Sequence, residues 1–264
     1  MLASTLITGS ISWLYYADRL LELPIGLVAI ALSTVMLPHL SRLAARGEHD
    51  AFRRTLGWGI NLGLMLGLPA AVALYFLADG LVATLFLTVG GSALTIYDAR
   101  MASYALELFA VALPGFVLVR VLSPAFYAHE DTQSPFRYAA VAVAANIVAA
   151  LATFTWFGHV GLAWATAISA WVNVVLLYGG LKRRQLFHLD RSIWRLFWRV
   201  LLATLALSAV LILWAVPLPW FAMSGLERIV HMAVVCAGGL LGYAVILALL
   251  GIRPKDLQHD SATA

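Results

Sequence analysis

The chain has 264 residues, of which 62% are hydrophobic and only 11% carry a charge. A soluble domain usually carries about 25% charged residues, so this chain has too little polar surface to face water on all sides. Its formal net charge of +4 does not indicate a nucleic-acid partner, because the Lys and Arg residues fall in short segments between apolar runs. These features exclude a soluble protein and predict one that crosses a membrane several times.

Seven apolar runs are long enough to cross a bilayer, which takes roughly 20 residues in a helix. They predict an all-α transmembrane bundle of about seven spans, because backbone polar groups in lipid must be satisfied within each segment. The predicted spans are residues 10–38, 57–78, 101–123, 137–157, 161–180, 199–216 and 228–250. Residues 1–9 resemble the end of a helix that begins upstream, so we expect the chain to be a fragment.

Basic residues predict the orientation, because short loops rich in Lys and Arg stay in the cytoplasm. Basic clusters follow the first and fifth spans, at residues 42–54 and 181–198. The opposite loops contain a single Lys or Arg residue, Arg100. These loops are residues 79–100, 158–160 and 217–227. The N-terminus is therefore expected outside and the C-terminus in the cytoplasm.

A polar stripe follows one face of the first predicted span. At 100° per residue its members fall within an arc of about 100°. They are Ser12, Tyr15, Arg19, Glu22, Gly26, Ala29 and Ser33, with Asp18 beside them. A charge near mid-bilayer costs about 2.5 to 3.5 kcal/mol on insertion scales, so Asp18, Arg19 and Glu22 must face protein or a hydrated cavity. Two interpretations are open: an internal salt bridge on one helix, or a cavity wall whose guanidinium binds an anionic substrate.

Three other residues are candidates for coupling or gating. Glu107 lies inside the third span, where it is either a proton or coupling-ion site or a hydrogen-bond partner of a neighbouring helix. Pro24 and Gly26 can bend the first helix or free a carbonyl group, although Pro is common in membrane helices. The seven His residues lack metal-ligand spacing, and no catalytic motif occurs. We therefore expect no metal, no cofactor and no enzymatic activity.

The run SWLYYADRLLELPIGLVAIALSTVMLPHLSR at residues 12–42 resembles the eighth transmembrane helix of the MurJ (MviN) lipid II flippases, which are members of the MOP exporter superfamily. GWGINLGLMLGLPAAVAL at 57–74 and VRVLSPAFYAHEDTQSPFR at 119–137 agree in the same order. The resemblance covers essentially the whole chain, but only the C-terminal half of the family's 14-helix fold.

The resemblance implies a transporter of peptidoglycan biosynthesis in the bacterial inner membrane. Its substrate would be lipid II, an undecaprenyl-diphosphate-linked precursor that alternating access moves to the outer leaflet. The ADRL motif implies that Arg19, with Asp18 and Glu22, lies in a cationic cavity between two lobes, and Tyr15 and Ser12 lie on the same face. Besides lipid II and membrane lipids, the implied partner is the protein's own N-terminal lobe, without which this chain should not transport.

The same resemblance divides the chain into five segments. They are 1–9, the end of a truncated helix; 10–180, the helices of the transport core; 181–198, a basic cytoplasmic segment; 199–250, two helices forming a groove for the lipid tail; and 251–264, a cytoplasmic tail. Some family members bind sodium near their seventh, eleventh and twelfth helices. The matching spans 137–157 and 161–180 contain no carboxylate, which argues against sodium coupling. Coupling to the membrane potential or to a monovalent cation stays open.

Two other functions remain open. The first alternative is another MOP-type exporter, such as a polysaccharide-precursor flippase or a drug/cation antiporter. Accumulation of lipid II on depletion would distinguish a lipid II flippase from these exporters. A non-transporting membrane scaffold is the alternative from a different class. The DNA upstream of Met1 would test it, because an in-frame N-terminal lobe indicates truncation.

Overall fold

The computed structural model describes residues 9–89 and 94–252, and within these ranges all regular secondary structure is helical. The α-helices are α1 Ser10–Pro24, α2 Ala31–Ala45, α3 His49–Phe76, α4 Ala78–Val82, α5 Ile96–Tyr127, α6 Gln133–Phe157, α7 His159–Arg183, α8 Arg191–Trp214 and α9 Gly225–Leu249. The predicted all-α bundle is confirmed. The predicted terminal segments, residues 1–9 and 251–264, fall largely outside the described residues, which leave out 1–8 and 253–264.

Six helices, α3 and α5 to α9, are long and apolar enough to cross a membrane. The first predicted span, residues 10–38, differs from them because π-helical turns at Ile25–Ile30 divide it into α1 and α2, of 15 residues each. The break directly follows Pro24, which has no backbone N–H to donate and whose ring clashes with the preceding turn. The bundle therefore has six uninterrupted candidate spans and one broken helix among the described residues.

The segment at residues 79–100, predicted as an external loop, is partly helical. Helix α4 continues into a π-helical segment, Ala83–Val89. Ala78, Val82 and Ala83 are buried, so this segment packs into the bundle. Asp79 and Gly80 are residue types typical of turns, which explains why the sequence was interpreted as a loop.

Helix α5 lies at the centre of the bundle. Its most apolar 18-residue window is 67% buried, whereas that of α6 is 11% buried. It contacts α1, α2, α3, α4 and α7. Small residues allow close approach: a Cβ atom added to Gly115 would lie 3.1 Å from the Cβ of Ala170 in α7. The elements that carry the candidate site are therefore arranged around one buried helix.

A polar cluster joins α1, α5 and α7 where α5 begins. The indole N–H of Trp13 donates to the Asp98 carboxylate at 2.8 Å, and the Trp13 ring meets that of His159 edge to face at 4.9 Å between centroids. Asp98 also forms a capping box with Thr95, which satisfies backbone N–H groups at the start of α5. We call Trp13, Asp98 and His159 the Trp13 cluster.

Candidate functional site

The candidate site is the polar face of α1. The exposed side chains on this face are Ser12, Tyr15, Asp18, Arg19 and Glu22. The buried residues on the other side of the helix are Trp13, Ala17, Leu20 and Leu21. The three- and four-residue spacing of the polar residues places them on one side of the helix. The apolar residues attach α1 to the bundle and leave the charged face open.

Arg19 binds two neighbours on its own helix. Its Nε donates to the Tyr15 hydroxyl at 3.2 Å, and its Nη1 lies 3.0 Å from Glu22 Oε2. The guanidinium carbon lies 5.1 Å from the centre of the Tyr15 ring. The salt bridge that the spacing predicted is therefore present. The Arg19 and Glu22 side chains are each 56% exposed, so the guanidinium remains accessible to a second anion.

A small cavity adjoins this face. Its volume is about 270 Å³, and it is lined by Ile11, Leu14, Tyr15, Asp18, Phe109, Leu162 and Thr166. Tyr15 lies between the cavity and Arg19, because it lines the first and hydrogen-bonds the second. Sites for small molecules usually measure about 300 to 1,000 Å³, so this space alone is too small for a large headgroup. It widens the polar face without enclosing it.

Sequence reasoning missed the cavity residues contributed by other helices. Phe109 belongs to α5, and Leu162 and Thr166 belong to α7. An isolated Thr in an apolar run is a weak signal, because its hydroxyl can also bond within its own helix. Thr166 indeed donates to the Leu162 carbonyl at 3.1 Å.

The coupling and gating candidates lie in different elements. Glu107 is half-buried on α5, and its charge interacts with that of Asp79 in α4. Pro24 ends α1, and Gly26 lies in the π-helical segment, where an added Cβ atom would meet nothing within 4 Å. The side chains of Ala29 and Ser33, two members of the predicted stripe, lie outside the described part of the structure.

A second, apolar cavity lies between α3, α8 and α9. Its volume is about 270 Å³, and most of its lining is aliphatic: Leu66, Pro69, Ala70, Ala73, Leu77, Leu207, Leu211, Val235, Cys236, Gly239, Leu240 and Tyr243. The Tyr243 hydroxyl donates to the Met65 carbonyl at 2.8 Å, so this hydroxyl has a hydrogen-bond partner within the apolar lining. The cavity suits a hydrocarbon chain and has no charged side chain in its lining.

Comparison with known proteins gives one consistent result. The family profile described as "Lipid II flippase MurJ" matches residues 1–230. A probable lipid II flippase MurJ of Vibrio cholerae is 41% identical over 97% of this chain and 48% of its own length. The corresponding protein of Haemophilus influenzae is 37% identical over 97% of this chain and 51% of its own length. The chain thus spans about half the length of the curated relatives that it matches.

A solved structure agrees with the fold. It is described as lipid II flippase MurJ in an inward closed conformation and superposes with a TM-score of 0.75 at 24% identity, over 94% of this chain and 48% of that chain. Because the family profile covers most of this chain and the relatives match nearly all of it, the chain belongs to the MurJ lipid II flippase family.

Proposed function

We propose that this chain is the C-terminal half of a lipid II flippase of the bacterial inner membrane. The complete protein would move the undecaprenyl-diphosphate-linked peptidoglycan precursor from the cytoplasmic to the outer leaflet. The observation that carries the proposal is Arg19, an exposed guanidinium on a helix whose other side is buried in an apolar bundle. The names of the relatives supply the substrate.

Arg19 provides the chemistry that a diphosphate needs. Lipid cannot solvate the charge of a diphosphate, whereas the planar guanidinium donates two parallel hydrogen bonds to its oxygens. Glu22 already occupies one side of Arg19 at 3.0 Å. Exposed ion pairs are weak, so an incoming phosphate can displace the Glu22 carboxylate. Arg19 then binds substrate, while Glu22 neutralises the charge of the empty site.

The apolar cavity between α3, α8 and α9 is the proposed seat of the prenyl tail. Its aliphatic lining has no charged group, and each buried CH₂ of a chain contributes about 0.8 kcal/mol. The headgroup would thus cross along a polar path while the tail stays in an apolar one.

Transport requires a second lobe in this proposal. The relatives are about twice as long as this chain, and the polar face of α1 is open. The missing N-terminal lobe would close the cavity, and alternating access would arise when the two lobes rock against each other. This chain alone would not transport.

The loop charges support an external start of α1 and a cytoplasmic end of α9. Coupling would use the membrane potential or a monovalent cation.

Complementation tests the role of Arg19. A full-length protein with Arg19→Ala should not support growth when the native flippase is depleted, and lipid II should accumulate. Arg19→Lys, which keeps the charge but loses the planar fork, should support growth only partly. Arg183→Ala, which removes an exposed arginine at the end of α7, is the matched control and should grow normally. Normal growth of Arg19→Ala at equal protein levels would refute the proposal.

A further inference from the structure

A larger polar cavity than the one beside Tyr15 lies at the other end of the bundle from the Trp13 cluster. Its volume is about 630 Å³, and it is bounded by α2, α5, α6 and α7. Five side chains with polar atoms line it: Thr34, Arg120, Ser123, Tyr127 and Asn173. The remaining walls are apolar and include Phe116 and Pro135. The cavity therefore combines one cation and several hydrogen-bonding groups with an apolar surface.

Arg120 is the only charged group in this lining. Within residues 9–89 and 94–252 it forms no salt bridge and no hydrogen bond. Asn173 also has an unpaired hydrogen-bond acceptor, because its Oδ1 atom is buried and has no partner among the described residues. The Arg120 side chain is exposed, so its charge favours an occupant with negative charge, whereas the Asn173 Oδ1 atom suits a hydrogen-bond donor on the same occupant.

The depth of Arg120 matches that of a lipid phosphate. Helix α5 has 32 residues and is about 48 Å long at 1.5 Å per residue, so it extends about 9 Å beyond each side of a 30 Å hydrocarbon core. Arg120 lies seven residues before the end of α5 at Tyr127, or about 10 Å inside that end. The guanidinium therefore lies near the boundary between acyl chains and headgroups, on the side with the basic loops.

The two cavities lie along the same face of α5. Phe109 in the cavity beside Arg19, and Phe116 and Ser123 in the cavity at Arg120, are spaced by seven residues and share one face of α5. Thr166 and Asn173 repeat the seven-residue spacing on α7. The cavity at Arg120 and the cavity beside Arg19 therefore adjoin the same faces of α5 and α7.

We propose that the cavity at Arg120 binds the phosphate headgroup of an amphiphile entering from the cytoplasmic leaflet. Arg120 pairs with the phosphate, Ser123 donates a hydroxyl hydrogen bond, and the apolar walls contact the first part of the chain. As a loading site for the flippase, this cavity rests on the proposed function. Two sources supply the same chemistry, a prenyl diphosphate and a bulk phospholipid.

The test measures binding to the purified chain in detergent, in an Arg19→Gln background so that the site on α1 does not contribute. The probe is geranylgeranyl diphosphate, and inorganic diphosphate and phosphatidylglycerol are the comparison ligands. Arg120→Gln should weaken binding of the prenyl probe on the order of tenfold, as expected for the loss of a charge-assisted hydrogen bond. Ala139→Phe, which fills the same cavity and leaves its charge in place, should weaken binding as well.

Arg183→Gln is the matched control, because it removes a basic-side arginine that does not line the cavity. Unchanged affinity in Arg120→Gln or in Ala139→Phe would overturn the site, and so would an equal loss in Arg183→Gln. Inorganic diphosphate should bind more weakly than the prenyl probe, and equal affinity would refute an amphiphile site. Displacement of the probe by equimolar phosphatidylglycerol would assign the cavity to bulk phospholipid and overturn the loading role. None of these results depends on complementation by Arg19 variants.

Discussion

The carboxylate of Asp131 lies 2.6 Å from the guanidinium of Arg184 and thereby fastens the turn between α5 and α6 to the end of α7. Arg184 also donates to the Ser134 hydroxyl at 2.8 Å, and the Ser134 N–H donates to Asp131 at 2.9 Å. Burial alone would raise the pKa of Asp131, but the hydrogen bonds from Ser134 and the charge of Arg184 outweigh it, so this pKa is lowered.

Asp131→Asn should lower the free energy of unfolding by about 1 kcal/mol at neutral pH, because Arg184 is partly exposed and such pairs are modest. A lowered folded-state pKa stabilises the protein above the ordinary Asp value of about 4. This contribution is lost as the pH falls through the folded-state value. Thermal unfolding in detergent should therefore show a deficit at pH 7 that shrinks below pH 4. A deficit that grows on acidification would contradict this sign, and a double-mutant cycle with Arg184→Gln isolates the pair.

The Trp13 cluster should contribute to stability through its buried indole. Trp13→Phe removes the hydrogen bond to Asp98, and hydrogen bonds to charged groups are worth about 1.5 to 3 kcal/mol. We expect a loss near the lower end of this range, measured by chemical unfolding in detergent. Trp156→Phe is the control, because Trp156 is 84% exposed and should tolerate the change. Equal stability of the two variants would show that the hydrogen bond from Trp13 to Asp98 does not stabilise the fold.

Gly161 should be intolerant of any side chain. A Cβ atom there would lie 2.7 Å from the Thr153 carbonyl oxygen, a backbone atom of α6. Gly161→Ala should therefore destabilise the α6–α7 hairpin by about 1 to 3 kcal/mol. Gly179 in the same helix has nothing within 4 Å of an added Cβ, so Gly179→Ala should be neutral or stabilising by up to about 1 kcal/mol. The melting temperatures of the two variants test this prediction. If Gly161→Ala melts at the same temperature as Gly179→Ala or higher, the close contact with Thr153 relaxes without cost.

Glu107 should influence the pH dependence of transport. A carboxylate half-buried among apolar helices, with Asp79 as its charged neighbour, is expensive to keep ionised in a membrane. In the full-length protein, Glu107→Gln should flatten the pH profile of transport, whereas Glu130→Gln in the exposed α5–α6 turn should leave it unchanged. A profile identical to that of the parent protein would leave Glu107 with a packing role.

Composition and hydrophobic periodicity were sufficient for the fold class, because lipid permits few backbone arrangements. They underestimated helix length: α3 begins at His49 instead of residue 57, and α8 at Arg191 instead of residue 199. Charged residues end the apolar run that identifies a span, but they do not end a helix. The predicted basic segment 181–198 is consequently helical at both ends.

The candidate site was predictable only where it is local. The spacing of Tyr15, Arg19 and Glu22 on one helix predicts their contacts, whereas Trp13 and Asp98 are 85 residues apart and no periodicity links them. The pattern Thr95-x-x-Asp98 before an apolar run is typical of a capping box, and it is the one local signal at the start of α5. The cavity at Arg120 is lined by four helices, so it could be recognised only once the packing of these helices was known.

The π-helical segment Ile25–Ile30 sets the rotational phase between α1 and α2. An α-helix advances by 100° per residue, and a π-turn accommodates one residue more than an α-turn. If the six residues Ile25–Ile30 continued as an α-helix, each would rotate further than it does in a π-turn. The guanidinium of Arg19 would then turn around the helix axis relative to α2, and its contacts with Tyr15 and Glu22 would stay unchanged. The azimuth of the charge is therefore encoded downstream of the ADRL motif, in residues that bear no charge themselves.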